Sequence, residues 1–509
     1  MNIPAAPKVP SPSPPQPRAA TGIDGLDNVL GGGFPRGHLY LVEGTPGAGK
    51  TTLGLQFLLE GDARGERSLY VTLSETSAEL RVVAGSHGWS LDGIDLFELV
   101  NEEGLSASAE QSIFHPSEVE LGETVRGIMT AVERLSPSRL VFDSLSEMRL
   151  LAQDPLRYRR QILALKHFFA ARECTVLLLD DKSSQGGDLQ LHSIAHGVLG
   201  LDQATDDYGP VRRHLRIVKM RGVRYRGGEH DVVLDTGGIQ VFPRLVAAEH
   251  RVEFTSSVAS TGTAALDTLF GGGLARGSNT LFVGPSGVGK TTTAMSAVMG
   301  ALMRGEKASY YLFDEGLNTL LHRCASLGLA LEPYIANGQL DVVALDPAEM
   351  SAGQFSNLVR HAVQQRGASI IVIDSLNAYL QAMPGAKFLL LQMHELLTFL
   401  NQQGMITLLV LGQHGVIGDI RSDLDLSYLS DAIVLFRFFE ARGRLLKATS
   451  VVKSRVSKHE TTIREFRLGE RGVEVGPALT DFEGVIAGVP SYRGGIALLD
   501  DAPPPGSGA

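Results

Sequence analysis

A chain of 509 residues is too long for one hydrophobic core, so at least two domains are expected. Hydrophobic residues make up 43% and charged residues 20%, an ordinary globular balance, and the apolar runs are strand-length, short of the roughly 18 residues of a membrane helix. The formal net charge of −10 gives no general attraction to nucleic acid, so a nucleic-acid partner is not expected.

The first residues are rich in proline and serine and lack the basic and apolar segments of a secretory signal. Residues 1–17 hold seven prolines among small residues, and residues 1–19 are expected to form a disordered tail. From Thr21 the chain reads TGIDGLDNVLGGGFPRGHLYLVEGTPGAGKTT, and from Thr261 it reads TGTAALDTLFGGGLARGSNTLFVGPSGVGKTT. The shared TG, LD, GGG, RG and GKTT recur at a constant offset of 240 residues (261 minus 21) and mark a duplicated domain. The copies are assigned to residues 20–250 and 251–488, with a flexible tail over residues 489–509. The two cysteines, Cys174 and Cys324, lack CxxC spacing and read as reduced thiols of a cytoplasmic protein.

Within the first copy the predicted elements are a strand HLYLVEG, a helix from Lys50, a strand SLYVTL, a further helix, and later strands RLVFD and TVLLLD. The second copy offers NTLFVG, ASYYLF, SIIVID and ITLLVLG. Near-continuous apolar runs alternating with helices predict an α/β fold, a mostly parallel sheet flanked by helices on both faces. Ligands of such sheets sit at the carboxyl ends of the strands.

Both copies place GxxxxGK[ST] at such an end, between a strand and a helix. Gly44, Thr45, Gly47, Ala48, Gly49, Lys50, Thr51 and Thr52 form the first candidate ATP loop. Gly284, Ser286, Gly287, Val288, Gly289, Lys290, Thr291 and Thr292 form the second. The glycines let backbone N–H groups curl around phosphates, the lysine neutralises the terminal phosphates, and the Thr51 or Thr291 hydroxyl can bind Mg²⁺. Asp143 and Asp374 each end a later strand and are followed by Ser-Leu, the place from which a carboxylate helps hold that Mg²⁺. Glu75 and Glu315, just past the second strand of each copy, are the candidate bases that activate water. Asp314 stands beside Glu315, whereas Ser74 stands beside Glu75, so hydrolysis in the first copy would rest on Glu75 alone. A glutamate in that position can also be a helix-capping group.

With the GGG-x-x-RG lead-in, these residues resemble the KaiC family of RecA-like P-loop ATPases, across nearly everything between residues 20 and 490. The resemblance extends to Lys219-Met-Arg221-Gly and to the stretch from Asp481 to Pro490. It implies two tandem RecA-like domains stacked as a homohexameric double ring, with ATP and Mg²⁺ held between neighbouring subunits. It also implies that a Lys-x-Arg pair reaches into the neighbour's site: Lys219 and Arg221, then Lys453 and Arg455. Lys-x-Arg is also a common surface pattern. The resemblance further implies a serine/threonine autokinase in the second domain, for which Ser427 matches the first acceptor, activated by Asp314 or Glu315. Tyr428 stands where the family has a threonine, a departure that bears on the two-site phosphorylation cycle, and a plain serine in a turn is the other reading of Ser427. The tail after Pro490 is, by the same resemblance, the docking segment for a regulatory protein.

The expected function is an ATPase with autokinase capacity used in timing or signalling, hydrolytic at the first loop and phosphoryl-transferring at the second. The alternatives are a RecA-like DNA-dependent ATPase, for which the basic stretch KMRGVRYR is the candidate surface, and a scaffold assembled by nucleotide with slow turnover.

Overall fold

The computed structural model describes residues 16–98, 116–182, 189–204, 209–382, 386–413, 427–441, 443–469, 472–486 and 491–492, with the side chains of 116–120, 189–190, 381–382, 386–388 and 427 left aside. The chain divides into two compact units, Met1–Arg244 and Leu245–Ala509. In the first, six strands run parallel: β1 (Leu39–Gly44), β2 (Ser68–Thr72), β3 (Ile94–Glu98), β4 (Arg139–Asp143), β5 (Thr175–Asp181) and β6 (Gly197–Ala204). Their order across the sheet is β3–β2–β4–β5–β1–β6. Beyond β6 the sheet continues antiparallel through β7 (Arg212–Met220), β8 (Glu229–Asp235) and β9 (Gly238–Phe242).

The apolar runs are continuous because both faces of the sheet are covered. Successive side chains of a strand point to opposite faces. Tyr40 and Val42 of β1 belong to one core with Leu53 and Phe57, which lie on the helix Lys50–Ala63. Leu39 and Leu41 belong to the other, with Ile162 and Leu165 of the helix Pro155–Ala170. Each fully buried side chain of this kind contributes roughly 1.5–3 kcal/mol.

The second unit repeats the topology. Its strands are β10 (Ser278–Gly284), β11 (Ala308–Leu312), β12 (Leu340–Ala344), β13 (Ile370–Asp374), β14 (Ile406–Gly412), β15 (Ala432–Ala441), β16 (Arg444–Ser454), β17 (Arg464–Gly469) and β18 (Gly472–Ala478). They run in the order β12–β11–β13–β14–β10–β15–β16–β17–β18, parallel as far as β15 and antiparallel after it.

Three boundaries differ from those expected. The first tail ends before residue 19: Arg18–Ala19 pairs antiparallel with Phe34–Pro35, Ala19 is buried, and the Arg18 guanidinium donates to the Gly33 carbonyl at 3.1 Å. The second unit starts at Leu245 rather than 251, because Ala247 is buried and its N–H donates to Glu395 at 3.1 Å. Ser491–Tyr492, inside the expected second tail, pairs with Phe482–Glu483, and the Tyr492 ring lies 5.0 Å from that of Phe482. Cys174 and Cys324 are buried free thiols, and burial pushes them up to about 12 and about 11.

Candidate functional site

Both phosphate loops leave the carboxyl end of a central strand and enter a helix, Lys50–Ala63 or Lys290–Met303. The strand-end glycine is needed for close approach: a Cβ on Gly44 would lie 2.0 Å from the Leu201 carbonyl oxygen, and one on Gly284 2.5 Å from that of Phe436. Gly49 and Gly289, which cap the helices, have φ of 105° and 120°, where a side chain would strain the backbone. Lys50 curls back to donate to the Gly44 and Thr45 carbonyls, each at 3.0 Å, and pairs with Asp181 at 2.8 Å. Lys290 donates to the Gly284 and Pro285 carbonyls, each at 2.8 Å. The register aligns Asp181 with Gly44 and Gly412 with Gly284, so at that register position the second copy has a glycine in place of the Asp181 carboxylate. Burial holds the Lys290 ammonium down at about 8.

Asp143 and Asp374 are buried at the ends of β4 and β13. The Thr51 hydroxyl donates to Asp143 Oδ2 at 2.9 Å, and the Tyr70 hydroxyl donates to the same oxygen at 2.6 Å. In the second copy Tyr310 donates to Asp374 Oδ2 at 2.7 Å and Thr291 also bonds that carboxylate. Burial raises both carboxyls, and these hydroxyl donors oppose the rise. The donor set is all oxygen, the chemistry of a hard cation, so Thr51 with Asp143 and Thr291 with Asp374 fit Mg²⁺. Among the described residues no group of three His, Cys, Asp or Glu converges on a cation site, so such an ion would complete its shell with phosphate oxygens and water.

The two candidate bases stand in different surroundings. Glu75 does not cap the helix that follows; Thr76 does, in a capping box with Glu79. Its backbone is fixed by Thr72, whose hydroxyl donates to the Glu75 carbonyl at 2.7 Å. Glu75 Oε2 is buried with no hydrogen-bond partner, and burial, reinforced by the Asp143 charge, raises its carboxyl above the usual range. Glu315 instead receives both arms of Arg323, at 2.9 and 2.5 Å. Asp314 accepts a hydrogen bond from Ser375, and Ser74 is exposed.

The Lys-x-Arg pairs lie at the other end of the sheet. Lys219 is in register with Val198 on β6, and neighbouring Gly197 is in register with Tyr40, near the start of β1. Gly44 is about 13 Å further along at some 3.3 Å per residue. Lys219 donates to the His192 and Ala195 carbonyls, the latter at 3.0 Å, and Arg221 to the Ser193 carbonyl at 2.8 Å. Lys453 is likewise opposite Ile433, near the start of β15, and donates to the Ser430 carbonyl at 2.8 Å, while Arg455 is exposed. Ser427 opens the turn Ser427–Leu429 that leads into this end, with Asp431 bonded to Asn279 at the start of β10. The Ser427 side chain is outside the described set, and Tyr428 is exposed. Of the rest of the basic stretch, Arg226 donates to the Arg244 carbonyl at 3.0 Å.

The family model for the KaiC ATPase matches residues 19–246 and again residues 259–480. This chain belongs to the KaiC family of ATPases. It is 27% identical to the circadian clock protein KaiC3 of Synechocystis over 481 residues, 93% of this chain and 94% of the relative. It is 27% identical to the circadian clock oscillator protein KaiC of Synechococcus elongatus over 488 residues, 92% and 91% of the two chains. Against KaiC of Parathermosynechococcus lividus it is 26% identical over 493 residues, 93% and 88% of the two.

In this KaiC-family chain the sequence reading missed Tyr70 and Tyr310, Asp181 and Arg323. The tyrosines carried a signal, since the repeat aligns them five residues before Glu75 and Glu315. Asp181 and Arg323 carried none, because each reaches its partner only through the folded chain.

Proposed function

We propose that this chain is an ATP-hydrolysing KaiC-type protein that works as a ring of six identical subunits, takes Mg-ATP at both loops, and serves timing or signalling. Supporting this reading is the position of Lys219, Arg221, Lys453 and Arg455 at the sheet end remote from their own loops. Cations so placed approach a γ-phosphate from the next subunit, and they stabilise the charge of the transferring phosphoryl group only in the assembled ring.

At the first site the N–H groups of the loop surround the phosphates and Lys50 exchanges Asp181 for the terminal phosphate. Mg²⁺ held by Thr51 and Asp143 supplies neutralising charge. Glu75 takes the proton of the attacking water as its oxygen bonds the γ-phosphorus and the bond to the β–γ bridging oxygen breaks, leaving ADP and phosphate. A carboxyl raised by burial suits that base. At the second site Glu315, beside Asp314, has the same role. There the γ-phosphoryl group can pass instead to Ser427 of a neighbouring subunit: its Oγ bonds phosphorus, ADP departs, and the hydroxyl proton goes to one of the two acids. The tail after Pro490 is the segment on which a regulatory protein would dock.

The test is mass and size measurement of the full chain after incubation with Mg-ATP. A nucleotide-dependent six-subunit species carrying one phosphate that Ser427→Ala removes is the expected result. A hexamer that hydrolyses ATP without phosphorylation would overturn the kinase assignment, and a monomer of full activity would overturn the shared site. Turnover stimulated by single-stranded DNA, with an affinity falling steeply with salt, would favour the recombinase class instead.

A further inference from the structure

The duplicated acids are not in duplicated states. Arg323 lies on the helix Leu317–Ser326, and Glu315 immediately precedes that helix's capping Gly316. Six residue steps along the helix, about 9 Å, lead from Leu317 to Arg323. The arginine therefore reaches back along its own helix to meet the glutamate, the direction in which helical side chains lean. Both guanidinium arms are used, one on each carboxylate oxygen, and the side chains are 37% and 21% exposed, so the pair is partly withdrawn from water. The neighbouring acid, Asp314, accepts a bond from Ser375. At the offset of 240 the first copy has Val83, and there Glu75 keeps a buried oxygen without a partner. A general base needs a free lone pair directed at the water and a carboxylate basic enough to take its proton. A bidentate arginine works against this, because it takes one lone pair on each oxygen and turns the carboxylate toward its own helix, where it competes with a water.

We infer that Arg323 is a latch on the second site, engaging both oxygens of Glu315 in competition with the attacking water so that this loop retains ATP for transfer to protein while the first loop turns it over. Arg323 is then a positioning residue that acts through Glu315, and the inference rests on the proposed role of Glu315 as base. Release of the latch requires only a rotamer change of one long side chain, so it can follow whatever repositions the helix Leu317–Ser326.

The experiment uses the full chain carrying Glu75→Gln, in which remaining hydrolysis belongs to the second site. Adding Arg323→Val, the first copy's residue, or Arg323→Gln, which keeps length without charge, is expected to raise kcat about tenfold or more. KM should be unchanged, so the effect falls on kcat alone. The reciprocal Val83→Arg, read with Lys290→Ala silencing the second loop, should slow the first site by a similar factor. If both Arg323 variants leave kcat unchanged or lower it while Glu75→Gln/Glu315→Gln abolishes turnover, the latch is overturned and the base stands. Turnover that survives Glu75→Gln/Glu315→Gln would overturn the base, and the latch with it.

Discussion

The Tyr70 hydroxyl lies 2.6 Å from Asp143 Oδ2, the same oxygen that accepts from Thr51, and Tyr310 repeats the contact on Asp374 at 2.7 Å. Each tyrosine comes from the strand next to the aspartate's own, β2 beside β4 and β11 beside β13. A buried carboxylate is costly unless hydrogen-bonded, and the phenol supplies a bond that survives when the threonine turns to a metal. Tyr70→Phe and Tyr310→Phe should each remove about 1.5–3 kcal/mol from their own domain, the range for a bond to a charged group. Turnover at the altered site should fall about tenfold with ATP affinity nearly kept. Urea unfolding and single-site kinetics check this, and unchanged values in both would refute the supporting role.

Glu75→Gln should lower first-site turnover by about 10²–10⁴-fold, the usual contribution of a positioned base. Because the folded protein holds the Glu75 carboxyl above its unfolded value, the active carboxylate is lost as pH falls through that raised value. The acid limb of the first site should therefore lie above the ordinary glutamate range of about 4.3. The same shift means that ionised Glu75 costs stability above its folded value and nothing below its unfolded one. Glu75→Gln should melt higher than the parent at neutral pH and at the same temperature in acid. Calorimetry at two pH values decides it.

Lys290, held at about 8 when the loop is free, is partly neutral in mildly alkaline solution. Phosphate oxygens favour its charged form, so ATP binding raises its pKa and takes up a proton between that value and the bound one. With the first loop silenced by Lys50→Ala, titration calorimetry in buffers of different ionisation heat should show proton uptake near pH 8.5. Near pH 6.5, where Lys290 is already charged, its share should vanish. A binding heat independent of buffer at pH 8.5 would contradict the assignment.

Mixing two variant chains tests the proposed ring and its remote cations. Chains with a dead first loop, Lys50→Ala, should regain first-site turnover with chains carrying Arg221→Ala, because some interfaces then join an intact loop to an intact Arg221. Each variant alone should be nearly inactive, with Lys290→Ala in all chains to isolate the first site. Strict additivity of the two residual rates would argue that Arg221 serves only its own chain.

Arg139 is completely buried and donates to Glu66 at 2.7 Å, to the Ala20 carbonyl at 2.6 Å and to the Phe57 carbonyl at 2.8 Å. It ties the segment after the N-terminal strand to the helix Lys50–Ala63. Glu66→Ala strands that charge and should cost the first domain about 3–5 kcal/mol. The transition of the second domain should stay in place, as differential scanning calorimetry would show.

The sequence alone determined the duplication and the parallel strands, and it located the candidate loop, aspartate and glutamate of each copy. These are local: a strand-end residue sits beside the ligand wherever the sheet lies, and the repeat states each motif twice. It did not reveal the antiparallel strands β7–β9 and β16–β18, whose alternating burial is a weaker signal than the buried runs of β1 and β10. Only the tertiary structure decided that Tyr70 reaches Asp143, that Lys50 meets Asp181, and that the Lys-x-Arg pairs stand at the far end from their own loops. Those relations depend on strand order and on the direction of each strand past its neighbour. Glu75 and Glu315, equal in register, were separated by the same cause: a valine or an arginine two helical turns away matters only once the helix turns it toward the carboxylate.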